Sequence, residues 1–141
     1  MKRIKESSNK YKVPLFIQDF IKSNYTIEID NLEEDTDSYE DYHGKDNYYR
    51  FIYAFFNLKI KNPGIEYLEY DVDEFLDFLI NFIQNDKKII DKIEDAIYKE
   101  TSNKYTLEFS ECDIYDIKKT KDCLEINGHF IYDLESDYHP T

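Results

Sequence analysis

The chain has 141 residues and carries 31 acidic against 18 basic side chains, for a net charge of −13. Its length suits one domain, and an aromatic content of 17% with only three glycines and three prolines favours a folded chain over a disordered one. The charge disfavours direct nucleic-acid binding, because a phosphate backbone repels a surface of the same sign.

The N-terminal residues 1–12 are basic and polar, with no apolar run behind them. We therefore expect this segment to fray, and we expect neither a secretory signal nor a membrane anchor. Cys112 and Cys123 are too few for a disulfide scaffold and are ordinary in a reducing compartment. These features predict a cytoplasmic protein without a membrane association.

The first elements in chain order are a short helix and a strand. Val13, Ile17 and Ile21 recur at helical spacing, and Tyr25 to Ile29 alternates apolar with polar residues. Periodicity then fails over residues 30–47, where acids crowd together, so this segment is predicted to be a long exposed acidic loop.

A nearly continuous apolar run from Tyr48 to Ile60 predicts a central strand that is covered on both faces. A buried helix is the alternative for this run. Asn62 to Gly64 indicates a turn, and Ile65 to Tyr70 reads as a partner strand.

Two amphipathic helices are predicted next. Asp71 followed by Glu74 is typical of a helix N-terminus, and the apolar stripe that follows extends to Ile83. Asn85 and Asp86 interrupt the pattern, after which a second apolar stripe continues toward Lys99.

The C-terminal third changes to short β segments. Four are predicted: Tyr105 to Phe109, Asp113 to Ile117, Cys123 to Ile126 and His129 to Leu134. Asn127 and Gly128 are the residue types that a type I′ hairpin turn favours, which would place Ile126 opposite His129. The sequence thus predicts a single α+β domain over residues 1–141, an antiparallel sheet with a C-terminal β-meander packed against two or three amphipathic helices.

No residue pattern predicts a catalytic, metal or cofactor site. Asp35, Asp37 and Asp41 resemble the start of a calcium loop, but Glu40 stands where such a loop requires glycine. The cysteines and histidines lack the close pairs of a zinc site, and no glycine-rich loop precedes a helix to hold phosphate.

The remaining informative feature of the sequence is two runs in which acidic residues are interleaved with tyrosines. Tyrosine offers rigid contact area and carboxylates accept bidentate arginine, so two such runs are predicted to bind a basic partner. The alternative is a solvated acidic surface that only maintains solubility. The predicted partner-binding residues are Glu33, Glu34, Asp35, Asp37, Tyr39, Glu40, Asp41, Tyr42, Glu66, Tyr67, Glu69, Tyr70, Asp71 and Asp73.

These features favour a non-catalytic inhibitor of a basic protein, of the bacterial immunity or antitoxin type, directed at a cognate nuclease toxin. The analogy is one of size and charge. A second hypothesis is a phage or plasmid protein that mimics DNA and inhibits a defence nuclease. A third is a small enzyme with a site assembled from distant residues such as His43, Glu74 and His129.

Overall fold

The computed structural model of the chain describes residues 13–61 and 72–136. Its elements are α1 (Leu15–Ser23), β1 (Tyr25–Glu40), β2 (Asp46–Lys61), α2 (Val72–Asn85), α3 (Lys87–Glu100), β3 (Tyr105–Lys119) and β4 (Cys123–Ser136). The four strands form one sheet in the order β1-β2-β4-β3, and every neighbouring pair is antiparallel. The predicted α+β fold is confirmed.

The helices begin and end near the positions that their patterns predict. α1 follows Pro14 and buries Ile17 and Ile21. α3 begins after Asp86, whose carboxylate accepts the backbone N–H of Ile89 at 3.2 Å and so satisfies a donor that the first helical turn leaves free. Asp71, the predicted cap of α2, lies outside the described residues.

The hydrophobic core lies between the helices and one face of the sheet. Alternation along β2 and β4 directs every second side chain toward the helices. Tyr132 shows how the layers are joined, since its hydroxyl donates to Glu94 of α3 at 3.1 Å. The buried sheet residues in these two strands are Ile52, Ala54, Phe56, Leu58, Ile60, Leu124, Ile126, Phe130, Tyr132 and Leu134.

The predicted acidic loop over residues 30–47 is wrong. β1 continues to Glu40 and pairs with β2 residue by residue from Asn31 opposite Phe55 to Glu40 opposite Asp46. A bulge between Ile29 and Asn31 shifts the register once. Cross-strand pairing with an aromatic strand overrides the low β propensity of aspartate and glutamate, and only residues 41–45 form the turn.

The predicted turn at Asn127 and Gly128 is also wrong. Both residues lie inside β4, where Gly128 pairs with Phe56 on one side and Ile114 on the other. The chain turns instead between Lys119 and Cys123, so the four predicted β segments are two long strands that form a hairpin. The predicted turn at residues 62–64 and the predicted strand at residues 65–70 lie outside the described residues.

Candidate functional site

The face of the sheet opposite the helices, here called the open face, carries a row of aromatic side chains along β2. Strand alternation places Tyr49, Phe51, Tyr53 and Phe55 there, with successive ring centroids 5.8, 5.5 and 5.8 Å apart. Tyr49 is 41% exposed, and the other three are half-buried. The prediction that β2 is covered on both faces is therefore wrong, because this aromatic row has solvent above it.

Carboxylates flank the aromatic row on the β1 side. Asp35 and Asp37 pair in register with Phe51 and Tyr49, and Glu33 pairs with Tyr53. All three carboxylates are exposed. The Tyr49 hydroxyl donates to Asp37 over 3.4 Å, a contact at the outer limit of a hydrogen bond. On the open face, each of these three acids on β1 therefore lies beside an aromatic ring on β2.

Carboxylates also flank the row on the β4 and β3 side. Asp133 of β4 pairs with Phe51, and Glu108 of β3 pairs with Asp133. A hydrogen bond that the protonated Glu135 carboxyl donates to Glu108, together with the negative charges of Glu108 and Asp133, raises the pKa of Glu135. These acids are close enough to one another that their charges repel.

A groove of about 510 Å³ crosses the sheet at this point. It draws residues from all four strands, with rings on its floor and a carboxylate on each side. The lining residues are Asp37, Tyr39, Tyr49, Phe51, Tyr53, Ser110, Ile131 and Asp133.

No ion pair between described residues neutralises the carboxylates of this groove. Arg50 lies on the other face of β2, where its guanidinium is 3.2 Å from Glu34 and 3.3 Å from the Tyr105 hydroxyl. Lys118 is 3.8 Å from Asp116, near the far end of β3. Asp37 and Asp133 are in no such pair, so within the described chain the groove has negative charge and no internal cation.

His129 lies farther along the open face and is nearly buried there, at 8% exposed. The rings of Tyr53, Phe55 and Tyr115 surround it at centroid distances of 5.2, 5.9 and 4.9 Å. Its Nε2 is 3.3 Å from a carboxylate oxygen of Glu111, and its Nδ1 has no hydrogen-bond partner among the described residues. His129 extends the aromatic surface from β2 onto β4.

The structure divides the first predicted run of binding residues between two faces. Glu33, Asp35, Asp37 and Tyr39 lie on the open face beside the aromatic row. Glu34 and Glu40 alternate with them and lie on the opposite face, so they do not belong to the groove.

The last two residues of that run lie in the turn between β1 and β2. Asp41 accepts the backbone N–H groups of His43 and Lys45 at 2.9 and 3.0 Å, and the Asn47 side chain at 3.1 Å. The hydrogen bonds from Lys45 and Asn47 are the main causes that lower the Asp41 pKa. Asp41 therefore holds the turn, whereas Tyr42 is 92% exposed with its ring 4.0 Å from that of His43.

The second predicted run falls largely on residues that the structure does not describe. This applies to Glu66, Tyr67, Glu69, Tyr70 and Asp71, and for Asp73 the structure gives a place in α2 but no side-chain surroundings. The sequence interpretation missed Phe51, Asp133, Glu108 and Glu135. The alternating aromatic residues of β2 were a usable signal for Phe51, but the isolated acids of β3 and β4 carry no local pattern.

The residues suggested for an assembled enzyme site lie on different parts of the molecule. His43 is in the β1–β2 turn, Glu74 is on α2, and His129 is on the open face, across the sheet from the helices. Among residues 13–61 and 72–136, no three histidine, cysteine, aspartate or glutamate side chains converge as metal ligands would.

Comparison with known proteins gives no family. No protein-family model matches the chain, and no curated protein sequence matches it either. The helices of the described segments are all too short or too polar to cross a bilayer.

Proposed function

We propose that this protein is a non-catalytic inhibitor that binds a basic protein through its open face. The observation that carries the proposal is the aromatic row of β2 with carboxylates on both sides and no cation of the described chain to neutralise them. Tyrosine is enriched in binding hot spots, and carboxylates accept bidentate hydrogen bonds from arginine.

A nucleic-acid-processing enzyme is the basic partner that we favour. Such enzymes carry lysine and arginine where they contact phosphate, and a protein with a net charge of −13 competes for that surface. Opposite potentials also speed association, which is valuable when the partner is toxic. A bacterial immunity or antitoxin-type protein with a cognate nuclease toxin, acting in the cytoplasm, fits this description.

The extended conformation of β1 favours a second candidate, a DNA-mimic inhibitor of a defence nuclease. Glu33, Asp35 and Asp37 follow one another at every second residue on one strand face, which spaces them about 6.6 Å apart. A regular row of charges suits a mimic of a phosphate backbone better than a loop does. Substitution of the aromatic residues distinguishes the two candidate functions. A DNA mimic depends on its charge, whereas an immunity-type interface also depends on aromatic anchors.

The test is capture from the native host at low salt, followed by an inhibition assay. Immobilised wild-type protein is compared with D37N/D133N, and D95N/E100Q serves as the control because it removes the same charge from exposed positions on α3. We expect a basic nuclease to be retained by the wild type and the control, released by D37N/D133N, and inhibited stoichiometrically by the wild type.

Two results would contradict the proposal. One is a captured set that is the same for all three proteins, which would mean that the open face does not select the partner. The other is a captured nuclease that stays fully active when the wild-type protein saturates it. A Phe51→Leu variant that inhibits as well as the wild type would favour the DNA mimic over the immunity protein.

A further inference from the structure

The groove on the open face combines aromatic rings with carboxylates, which are the groups that bind cations in proteins. Its floor is formed by the rings of Tyr49, Phe51 and Tyr53, and Asp37 and Asp133 stand on opposite sides of it. We propose that this groove binds an arginine side chain of the basic partner, with the guanidinium stacked on the aromatic row and its N–H groups donating to Asp37 and Asp133. This inference rests on the proposed function and specifies what the partner presents.

The carboxylates of Asp37 and Asp133 both lie close enough to the Tyr49 ring to affect its hydroxyl. Burial is the first cause that raises the pKa of the Tyr49 hydroxyl, and the charges of Asp37 and Asp133 both add to it. Asp37 pairs with Tyr49 from the β1 side and Asp133 pairs with Phe51 from the β4 side, so a cation placed over these two rings is attracted from both sides. A planar group with donors along several edges meets this arrangement better than a single ammonium group does.

The aromatic floor distinguishes arginine from lysine. A guanidinium is planar and weakly hydrated, so it stacks on a ring with little loss of hydration, whereas an ammonium is compact and strongly hydrated. Successive rings of the row are tilted by 36° between Tyr49 and Phe51, and they meet edge to face at 78° between Phe51 and Tyr53. The row therefore presents ring faces and edges to a flat group entering the groove.

The acids next to the groove increase its attraction for a cation. Glu108 and Glu135 lie beside Asp133, and the negative charges of Glu108 and Asp133 contribute to the raised pKa of Glu135. A bound guanidinium relieves the repulsion among these acids.

The experiment compares labelled penta-arginine with labelled penta-lysine by fluorescence anisotropy at low salt. We expect the wild-type protein to bind penta-arginine about tenfold more tightly, the ratio that a stacked, doubly hydrogen-bonded guanidinium gains over an ammonium. D37N/D133N should lose most of that ratio, whereas D95N/E100Q should retain it. Phe51→Leu keeps an apolar side chain but removes the ring, so it should bring the two affinities close together.

The outcomes separate this inference from the proposed function. Equal affinity for the two peptides, reduced alike by D37N/D133N, would overturn the arginine site while leaving an acidic surface that attracts basic proteins. An arginine preference unchanged in both D37N/D133N and Phe51→Leu would also overturn it, because the selective site would then lie elsewhere. If Phe51→Leu does not fold by circular dichroism, Tyr49→Leu replaces it, since Tyr49 is the more exposed ring of the row.

Discussion

Individual carboxylates of this protein have different roles although they are chemically alike. Asp86 caps α3 and also accepts a hydrogen bond from the Tyr25 hydroxyl. Asp41 holds the β1–β2 turn through three hydrogen bonds. Asp37 and Asp133 stand over the groove with no ion-pair partner among the described residues. Charge removal at the groove therefore tests binding, whereas the same change at Asp86 or Asp41 tests folding.

Glu135 makes the repulsion on the open face measurable through pH. Its pKa is raised in the folded protein by Glu108 and Asp133, so the folded state loses stability as the pH rises through that pKa and Glu135 becomes charged. Glu135→Gln removes this charge. We expect the variant to melt at a higher temperature than the wild type at pH 7 and at the same temperature below pH 4, where both side chains are neutral.

Glu28→Gln is the matched control for that measurement, because Glu28 is an exposed β1 residue opposite Asn57. It should change the melting temperature little at either pH. A Glu135→Gln variant less stable than the wild type at pH 7 would show that the charged Glu135 stabilises the fold instead of destabilising it.

The two cysteines should differ in reactivity because the sheet places them differently. Cys112 is 9% exposed, and burial raises its pKa to about 12, with smaller contributions from Asp113 and Glu111. Cys123 is half-buried at the start of β4. The thiolate is the reactive form, so with an aromatic disulfide reagent at pH 8 we expect Cys123 to react first and Cys112 at least about 100-fold more slowly, after local opening.

Cys123→Ala isolates the slow thiol. Its remaining cysteine should react slowly in the folded protein and rapidly once the protein is unfolded in guanidinium chloride. Rapid reaction of Cys112 in the folded Cys123→Ala variant would mean that this part of β3 does not pack against the core.

At the scale of elements, the sequence predicts the strands of the first half of the sheet where one strand face is buried. Ile27 and Ile29 mark the beginning of β1, and the alternating apolar residues of β2 mark the central strand. The second half of β1 is exposed on both faces, from Glu33 to Glu40. Apolar and polar residues alternate along a strand only when one of its faces is buried. The second half of β1 therefore has no alternating pattern that predicts a strand, and its conformation depends on pairing with β2.

The candidate site was predictable on one side only. Glu33, Asp35 and Asp37 are recognisable because they belong to one acidic run of the sequence. Asp133 and Glu108 reach the same surface through strand register over long sequence separations. The strand register cannot be predicted from the local sequence around an isolated acid.

Gly128 shows how a local turn signal is overridden. Its conformation does not require a positive φ. Instead, a Cβ at this position would lie 2.2 Å from the backbone oxygen of Asp113 and 2.8 Å from the ring of Phe56. Glycine is thus needed for the close approach of β3 and of a core ring to β4, beside the β3 bulge between Ile114 and Asp116.

Gly128→Ala should destabilise the fold by at least about 1–3 kcal/mol, the usual cost of overpacking, because a backbone oxygen cannot move aside as a flexible side chain can. Urea denaturation measures the change. Gly44→Ala is the comparison, since Gly44 lies in a turn at φ +76° with Glu40 Oε1 3.7 Å from the added carbon. We expect about 1 kcal/mol there from backbone strain. Equal effects at the two positions would contradict the crowding at Gly128.

At the scale of the whole molecule, the two faces of the sheet have different roles: one contains the hydrophobic core, and the other carries the charged groups of the groove. One face packs against the three described helices and contains the buried apolar residues, while the other carries the aromatic row and its carboxylates. With a net charge of −13, the folded protein has an unneutralised field that attracts cations and also repels itself. Folding and binding therefore respond to the same charge in opposite directions.

Salt should accordingly strengthen the fold and weaken binding. Raising sodium chloride from 20 to 200 mM shortens the range of charge interactions, so we expect the melting temperature to rise by about 2–4 °C, the shift that about 1 kcal/mol produces at this size. Over the same range, penta-arginine affinity should fall. The D37N/D133N variant should show a smaller change in both measurements than D95N/E100Q. A melting temperature that decreases with salt would mean that attractive ion pairs, and not repulsion on the open face, dominate the electrostatics of this fold.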